Sequence, residues 1–245
     1  KVIINGEIHL ESGLHIGGNK SSLDIGGVDN NIIKTAKGVP YIPGSSLKGK
    51  LRSMLARQSG SKNEKTDLKP EHRHIARLFG TGAGEKDQEM TRLYVRDAGL
   101  DIEAFDNQFT RELDFKYSEV KTETNINRLT GTAGGGIRQI ERVPAGSSFS
   151  FELVYNEFMD TSQQKVSTRE SLADEGIKDL KRIAMAMMLL QDDYIGGSGS
   201  RGYGKISFTV KAITLGQINS EGYVKKRATD LEEIFESFFT EESLT

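Results

Sequence analysis

Tyr194 to Lys205 reads YIGGSGSRGYGK, five glycines within the nine residues from Gly196 to Gly204, around a single arginine, Arg201. Glycine leaves no Cβ in the way, so such a loop admits a phosphate chain or a second backbone at close range. Gly197, Gly199 and Gly202 even spell G-x-G-x-x-G. A dinucleotide fingerprint needs a strand before those glycines and a helix after them, so that the helix N-terminus meets the pyrophosphate. Here the order is reversed, with an amphipathic helix before and the strand-like KISFTVKAI after, which argues against a dinucleotide. GTGAGEKD, further upstream, lacks the spacing and the Lys-Ser/Thr ending of a P-loop. What remains is a loop that cradles a phosphate backbone, or a tight helix-to-strand connection with no ligand.

A second stretch bears on that choice. From Asn30 to Asn63 there is no acidic residue, while Lys34, Lys37, Lys48, Lys50, Arg52, Arg57 and Lys62 all fall within it. Part of this run lies on a helix predicted from PGSSLKGKLRSML, with Ser45 or Ser46 as N-cap and Leu47, Leu51, Met54 and Leu55 on one face. Free N–H groups at that helix start, with lysines beside them, would suit an anion. A solvated helix face is the plainer explanation, but solvated faces usually interleave both charge signs. Asp24 and Asp29 sit in the loop GGNKSSLDIGGVDNN, where aspartates commonly cap turns. His72 and His74 form H-x-H without a cysteine, which is thin support for zinc and favours packing roles.

These groups need a scaffold. The 245 residues suffice for one large domain with its own core. Lys and Arg total 33 against 35 Asp and Glu, a formal net charge of −2, so any nucleic-acid role must rest on local patches. Without cysteine, disulfides and thiolate metal sites are excluded. No apolar run approaches the roughly 20 residues that cross a bilayer, and the opening KVIINGEIHL alternates like a strand and not like a signal peptide. The expected setting is cytoplasmic.

Apolar alternation at Ile4, Ile8, Leu10, Leu14 and Ile16, interrupted near Gly6, predicts a long strand or a bent pair. A short helix follows at EHRHIARLFG, a strand at TRLYVRDA, and a long β excursion over residues 113–155. Residues 173–192 form an amphipathic helix on Ile177, Leu180, Ala184, Met187 and Met188. Residues 60–70 and 81–91 read as polar, mobile insertions. The order of elements suits an α+β fold, a ferredoxin-like sheet with helices on one face, over 1–215, with a C-terminal helical tail over 216–245.

PGSSLKGKLRSML together with YIGGSGSRGYGKISF resembles the RAMP superfamily of CRISPR proteins. GLHIGG, GGVDNNIIK, RLFG, VRDA, SEVKTETNINRLT and RQIERV narrow the resemblance to the repeated backbone subunit of type III-A effector complexes, from about residue 8 to 210. The resemblance implies an RNA-recognition-like core with an inserted β-hairpin thumb, here at about 119–142. It implies partners: a CRISPR guide RNA, a complementary target RNA, further copies of the chain stacked head to tail, and other subunits of the complex. It implies RNA contacts at His15, Lys48, Lys50, Arg52, Gly197, Ser200 and Arg201, with Arg128 and Arg138 on the thumb. It also implies an endoribonuclease in which Asp29 serves catalysis and binds a divalent metal, Mg²⁺ or Mn²⁺, with Asp24 as the neighbouring alternative. Rival expectations are a non-catalytic RNA-binding scaffold and a guide-processing ribonuclease acting through His15. TGTAGGGIRQ departs from the pattern in its extra glycines, which puts the thumb-tip contacts in question.

Overall fold

The computed structural model describes residues 1–18, 30–62, 69, 72–81, 89–109, 113–157, 169–219 and 222–239. In chain order the elements are β1 (Val2–Leu10), β2 (Tyr41–Ile42), α1 (Gly44–Ser59), α2 (Arg73–Phe79), β3 (Leu93–Val95), β4 (Ala98–Leu100) and α3 (Ile102–Gln108). Then come β5 (Glu119–Ile126), β6 (Ala133–Arg142), β7 (Ser148–Tyr155), α4 (Arg169–Gln191), β8 (Ile206–Asn219), β9 (Gly222–Arg227) and α5 (Thr229–Phe239). The main sheet runs β2-β4-β7-β1-β8-β9, with β3 also on β7, and every described pairing within it is antiparallel. With α1 between β1 and β4, and α4 between β7 and β8, the inner four strands have the ferredoxin-like arrangement.

β1 shows why the chain folds this way. Val2, Ile4, Ile8 and Leu10 are buried, while Asn5, Glu7 and His9 alternate toward the other face. Gly6, where the apolar alternation breaks, sits at a register shift against β8. The Phe151 and Phe208 rings meet edge-on at 5.6 Å, and a Cβ at Gly6 would come 2.8 Å from Phe151. The expected helical face of α1 is the buried one, through Leu47, Leu51, Met54 and Leu55, each worth about 1.5–3 kcal/mol on burial. Gly60 ends α1 at φ 74, a left-handed cap that glycine adopts without strain.

The chain after residue 215 differs from the expected helical tail. β8 continues to Asn219, and β9 folds back beside it, paired from Asn219↔Gly222 to Thr214↔Arg227. Among the described residues after 215, Thr229–Phe239 alone is helical, and its Phe235 is fully buried in the same core as the sheet. The insertions expected at 60–70 and 81–91 fall largely outside the described residues.

β5 and β6 form a separate two-stranded sheet, paired from Glu119↔Arg142 outward to Ile126↔Ala133. This is the β-hairpin expected at about 119–142. The outer end exposes Ile126 (62 %), Leu129 (97 %) and Ile137 (67 %), whereas Ile140 and Glu141 near the root are buried.

Candidate nucleic-acid interface

Asp24 and Asp29 lie outside the described residues. The chain on either side of them is fixed. Gly17 and Ile32 form an antiparallel bridge, Gly18 N–H donates to Asn31 O at 3.0 Å, and Ile33 N–H donates to Ile16 O at 2.8 Å. Asn30, the residue after Asp29, bridges to Ile140 of β6, and its carbonyl accepts the Glu141 N–H at 3.1 Å. The return arm of this loop therefore rests on the hairpin root.

Glu141 organises the junction. Its carboxylate, 2 % exposed, accepts from Ile32 N–H at 3.1 Å, from the Ser118 hydroxyl and from the Lys34 ammonium. A buried carboxylate survives only with such a full set of donors. Its backbone carbonyl accepts from His15 Nδ1 at 2.7 Å, which fixes the imidazole beside the hairpin. On its other side, His15 O accepts the Gly197 N–H at 2.8 Å. His15 thus bridges the hairpin root and the glycine loop.

Within that loop most glycines answer to the protein itself. A Cβ at Gly199 would overlap the Tyr194 ring, and one at Gly204 (φ 72) would overlap the Ile195 carbonyl. Gly197 is different: a Cβ there would meet only His15, at 3.5 Å or more, an ordinary contact. The fold does not require glycine at 197. Ser200 and Arg201 are exposed on a 3₁₀ turn (Gly199–Arg201), and Arg201 donates to Ser198 Oγ at 2.6 Å.

A family model described as the RAMP superfamily matches residues 7–207. The CRISPR system Cms endoribonuclease Csm3 of Methanocaldococcus jannaschii is 43 % identical over 214 residues, which cover 85 % of this chain and 78 % of that protein. Its namesake from Streptococcus thermophilus is 41 % identical over 220 residues, covering 88 % and 90 %. The chain belongs to the RAMP superfamily, in its Csm3 endoribonuclease family. The fold agrees: the Methanopyrus kandleri Csm3 crystal structure superposes with a TM-score of 0.57 at 20 % identity, covering 97 % of this chain and 95 % of that one.

In this Csm3-family chain α1 splits its basic residues between two surroundings. Lys50 faces the glycine loop, with Nζ 3.7 Å from the Tyr194 ring centroid and 3.4 Å from Asp193 Oδ2. Arg57 shares Asp193 at 3.2 Å. Lys48 points elsewhere: Nζ donates to Thr91 Oγ1 at 2.7 Å and lines a cavity of ≈590 Å³ with Ser45, Tyr94, Arg96 and Asp97. Burial lowers the Lys48 ammonium pKa. Arg52 is half-buried and engaged within the protein. The structure thus brings His15, Lys50, Gly197, Ser200 and Arg201 to one region and leaves Lys48 on a separate flank.

Two expectations are corrected here. Neither Ser45 nor Ser46 caps α1; Pro43 stands at the N-cap, and Asp97 Oδ1 accepts the Gly44 N–H at 2.7 Å. The helix start therefore already holds a carboxylate and is no open anion site. The acid-free run is also not free of counter-charge, since Glu141 and Asp193 supply it from more than 100 residues away.

The hairpin contributes Arg128, exposed at its outer turn, and Arg138, exposed on β6 directly opposite Glu123. Sequence reasoning missed Glu123, Glu141 and Tyr203. The sequence from Ile140 to Val143 carries two opposite charges, Glu141 and Arg142, and does not tell which of them is buried. Among the described residues, no three His, Cys, Asp or Glu side chains gather as a metal set, and His72 and His74 belong to none. No described helix is long and apolar enough to cross a membrane.

Proposed function

We propose that this endoribonuclease binds a CRISPR guide RNA in the cytoplasm, along the region shared by the glycine loop and the hairpin root. It stacks there with further copies and other type III-A subunits, and cuts complementary target RNA beside Asp29. The observation that carries this reading is the junction at Glu141: the arm leaving Asp29, His15 and the hairpin root are tied to one residue. A carboxylate held near RNA phosphate is unfavourable by itself, which favours a cation between them. Asp29 and the RNA's phosphate oxygens make the hard, oxygen-only donor set that Mg²⁺ or Mn²⁺ takes. When bound, the cation would offset negative charge on the reacting phosphate.

The chain's own residues do the rest. His15, Lys50, Ser200 and Arg201 hold the guide strand, and Gly197 leaves room for its backbone. The exposed Ile126, Leu129 and Ile137 of the hairpin push between bases. Unstacking one nucleotide frees its backbone to reach the in-line geometry that cleavage needs. The attacking oxygen, the 2′-OH or a water, gives up its proton to solvent and bonds to phosphorus as the bond to the in-line ribose oxygen breaks, and that leaving oxygen takes up a proton from solvent. Assembled complex given complementary RNA tests this. Evenly spaced cuts that vanish when divalent cations are chelated are expected. Binding without cuts supports a scaffold, and metal-independent cutting lost in His15→Ala supports the histidine nuclease.

A further inference from the structure

Among the described residues the hairpin shares no strand ladder with the main sheet; backbone bonds to Asn30 and Leu14 hold its base, and beyond them side chains tie it to the body. The outermost of these ties is made by Glu123 of β5. Tyr203, 1 % exposed, donates its hydroxyl to Glu123 Oε1 at 2.8 Å. Arg201 Nη1 lies 3.4 Å from Glu123 Oε2. Lys121 Nζ stands 3.7 Å from the same carboxylate and 4.6 Å from the Tyr203 ring centroid, and Arg142 approaches that ring at 5.3 Å. Burial, and then the Glu123 carboxylate, push the Tyr203 phenol up to about 12, so it remains a hydrogen-bond donor at neutral pH.

Glu123 thereby does two separable things. Through Tyr203 it fastens the hairpin to the glycine loop by a hydrogen bond. It also places its negative charge beside Arg201, a cation 51 % exposed toward the proposed RNA path. An RNA phosphate arriving at Arg201 meets a carboxylate already there. We infer that Glu123 is a positioning residue that sets the hairpin's angle for cleavage while opposing RNA binding at Arg201. This rests on the RNA-cleaving reading above. Its signature is a pair of effects with opposite signs, which a merely structural residue would not produce.

Three variants separate the effects. Glu123→Gln keeps an oxygen for Tyr203 but removes the charge. Tyr203→Phe keeps the charge but removes the hydrogen bond. Glu123→Ala removes both. Guide-RNA affinity is read by fluorescence anisotropy, and cutting by single-turnover cleavage at saturating target in the assembled complex. Glu123→Gln should bind guide RNA about two- to fivefold tighter, the range expected for one exposed charge pair, and the gain should shrink at high salt. Tyr203→Phe should slow cutting several-fold without tightening binding. Glu123→Ala should do both, binding tighter and cutting more slowly. If every variant loses affinity and rate together, or none changes either, the inference is overturned. If the unmodified complex itself neither binds guide RNA nor cuts target, the functional reading fails instead, whatever Glu123 does.

Discussion

The root and the outer end of the hairpin are built on opposite terms. At the root, polar groups are partnered: the buried Glu141 with Ile32, Lys34 and Ser118, and the part-buried Glu119 and Glu123 with Arg142 at 2.7 Å and with Tyr203 and Arg201. At the outer end, apolar side chains stand in solvent, not covered by any of the described residues, Leu129 at 97 %. Exposed apolar groups contribute nothing to folding, so a cluster of them points outward, to a partner. The contrast teaches a division of labour. The root spends its interactions on position, and the end keeps an apolar surface, which the proposed function gives to RNA.

The strongest way to break the root is Glu141→Ala. It strands the Ile32 N–H and the Ser118 hydroxyl and leaves Lys34 without its carboxylate. A loss of about 3 kcal/mol is expected, the scale for removing one partner of a buried pair. For a chain of this size that is roughly 6–12 °C in Tm, measurable by thermal unfolding. Within the glycine loop, Gly199→Ala should destabilise by about 2 kcal/mol, because the new methyl meets the Tyr194 ring. Gly197→Ala should leave stability within about 0.5 kcal/mol of the parent yet weaken guide-RNA binding, since only a ligand needs that space. A Gly197→Ala protein that binds RNA normally would make the loop a connector.

At the outer end the balance reverses. Leu129→Ser should leave Tm unchanged and weaken target engagement about tenfold, as loss of one buried apolar side chain implies. The smallest effect concerns alkaline pH. Tyr203 at the root and Tyr155 in the core, the latter hydrogen-bonded to Asp179 at 2.8 Å, both have phenols pushed up to about 12 by burial first and then by their carboxylates. The folded state thus holds protons that the unfolded state releases near pH 10. That contribution is complete below pH ~10 and is lost as pH rises from ~10 to ~12. Denaturant titrations across that window should show it, and the double variant Tyr155→Phe, Tyr203→Phe should flatten the slope.

Much of this was legible in local pattern. The alternation of β1, the Leu47–Leu51–Met54–Leu55 face of α1, the β excursion that holds the hairpin and the helix-before-strand order around the glycines all follow from nearest neighbours along the chain. What was not legible depends on partners far apart. Asp97 caps α1 from 53 residues away, Asp193 meets Lys50 across 143, and Tyr203 meets Glu123 across 80. No periodicity encodes such pairs, so Ser45 looked like a cap and the basic run looked unopposed. Within the glycine loop, Gly199 and Gly204 answer to Tyr194 and Ile195, five and nine residues away, which a glycine pattern alone does not reveal.

The central claim is that Asp29, carried on the arm anchored at the hairpin root, serves cutting and not binding. Cleavage and target affinity should be measured side by side in complexes built with Asp29→Ala, Asp29→Asn and Asp24→Ala, with divalent cation present. Both Asp29 variants should lose cleavage at every site while target affinity stays near that of the parent, and Asp24→Ala should still cut. Normal cutting by Asp29→Ala, a dead Asp24→Ala beside it, or loss of binding together with cutting would contradict the account.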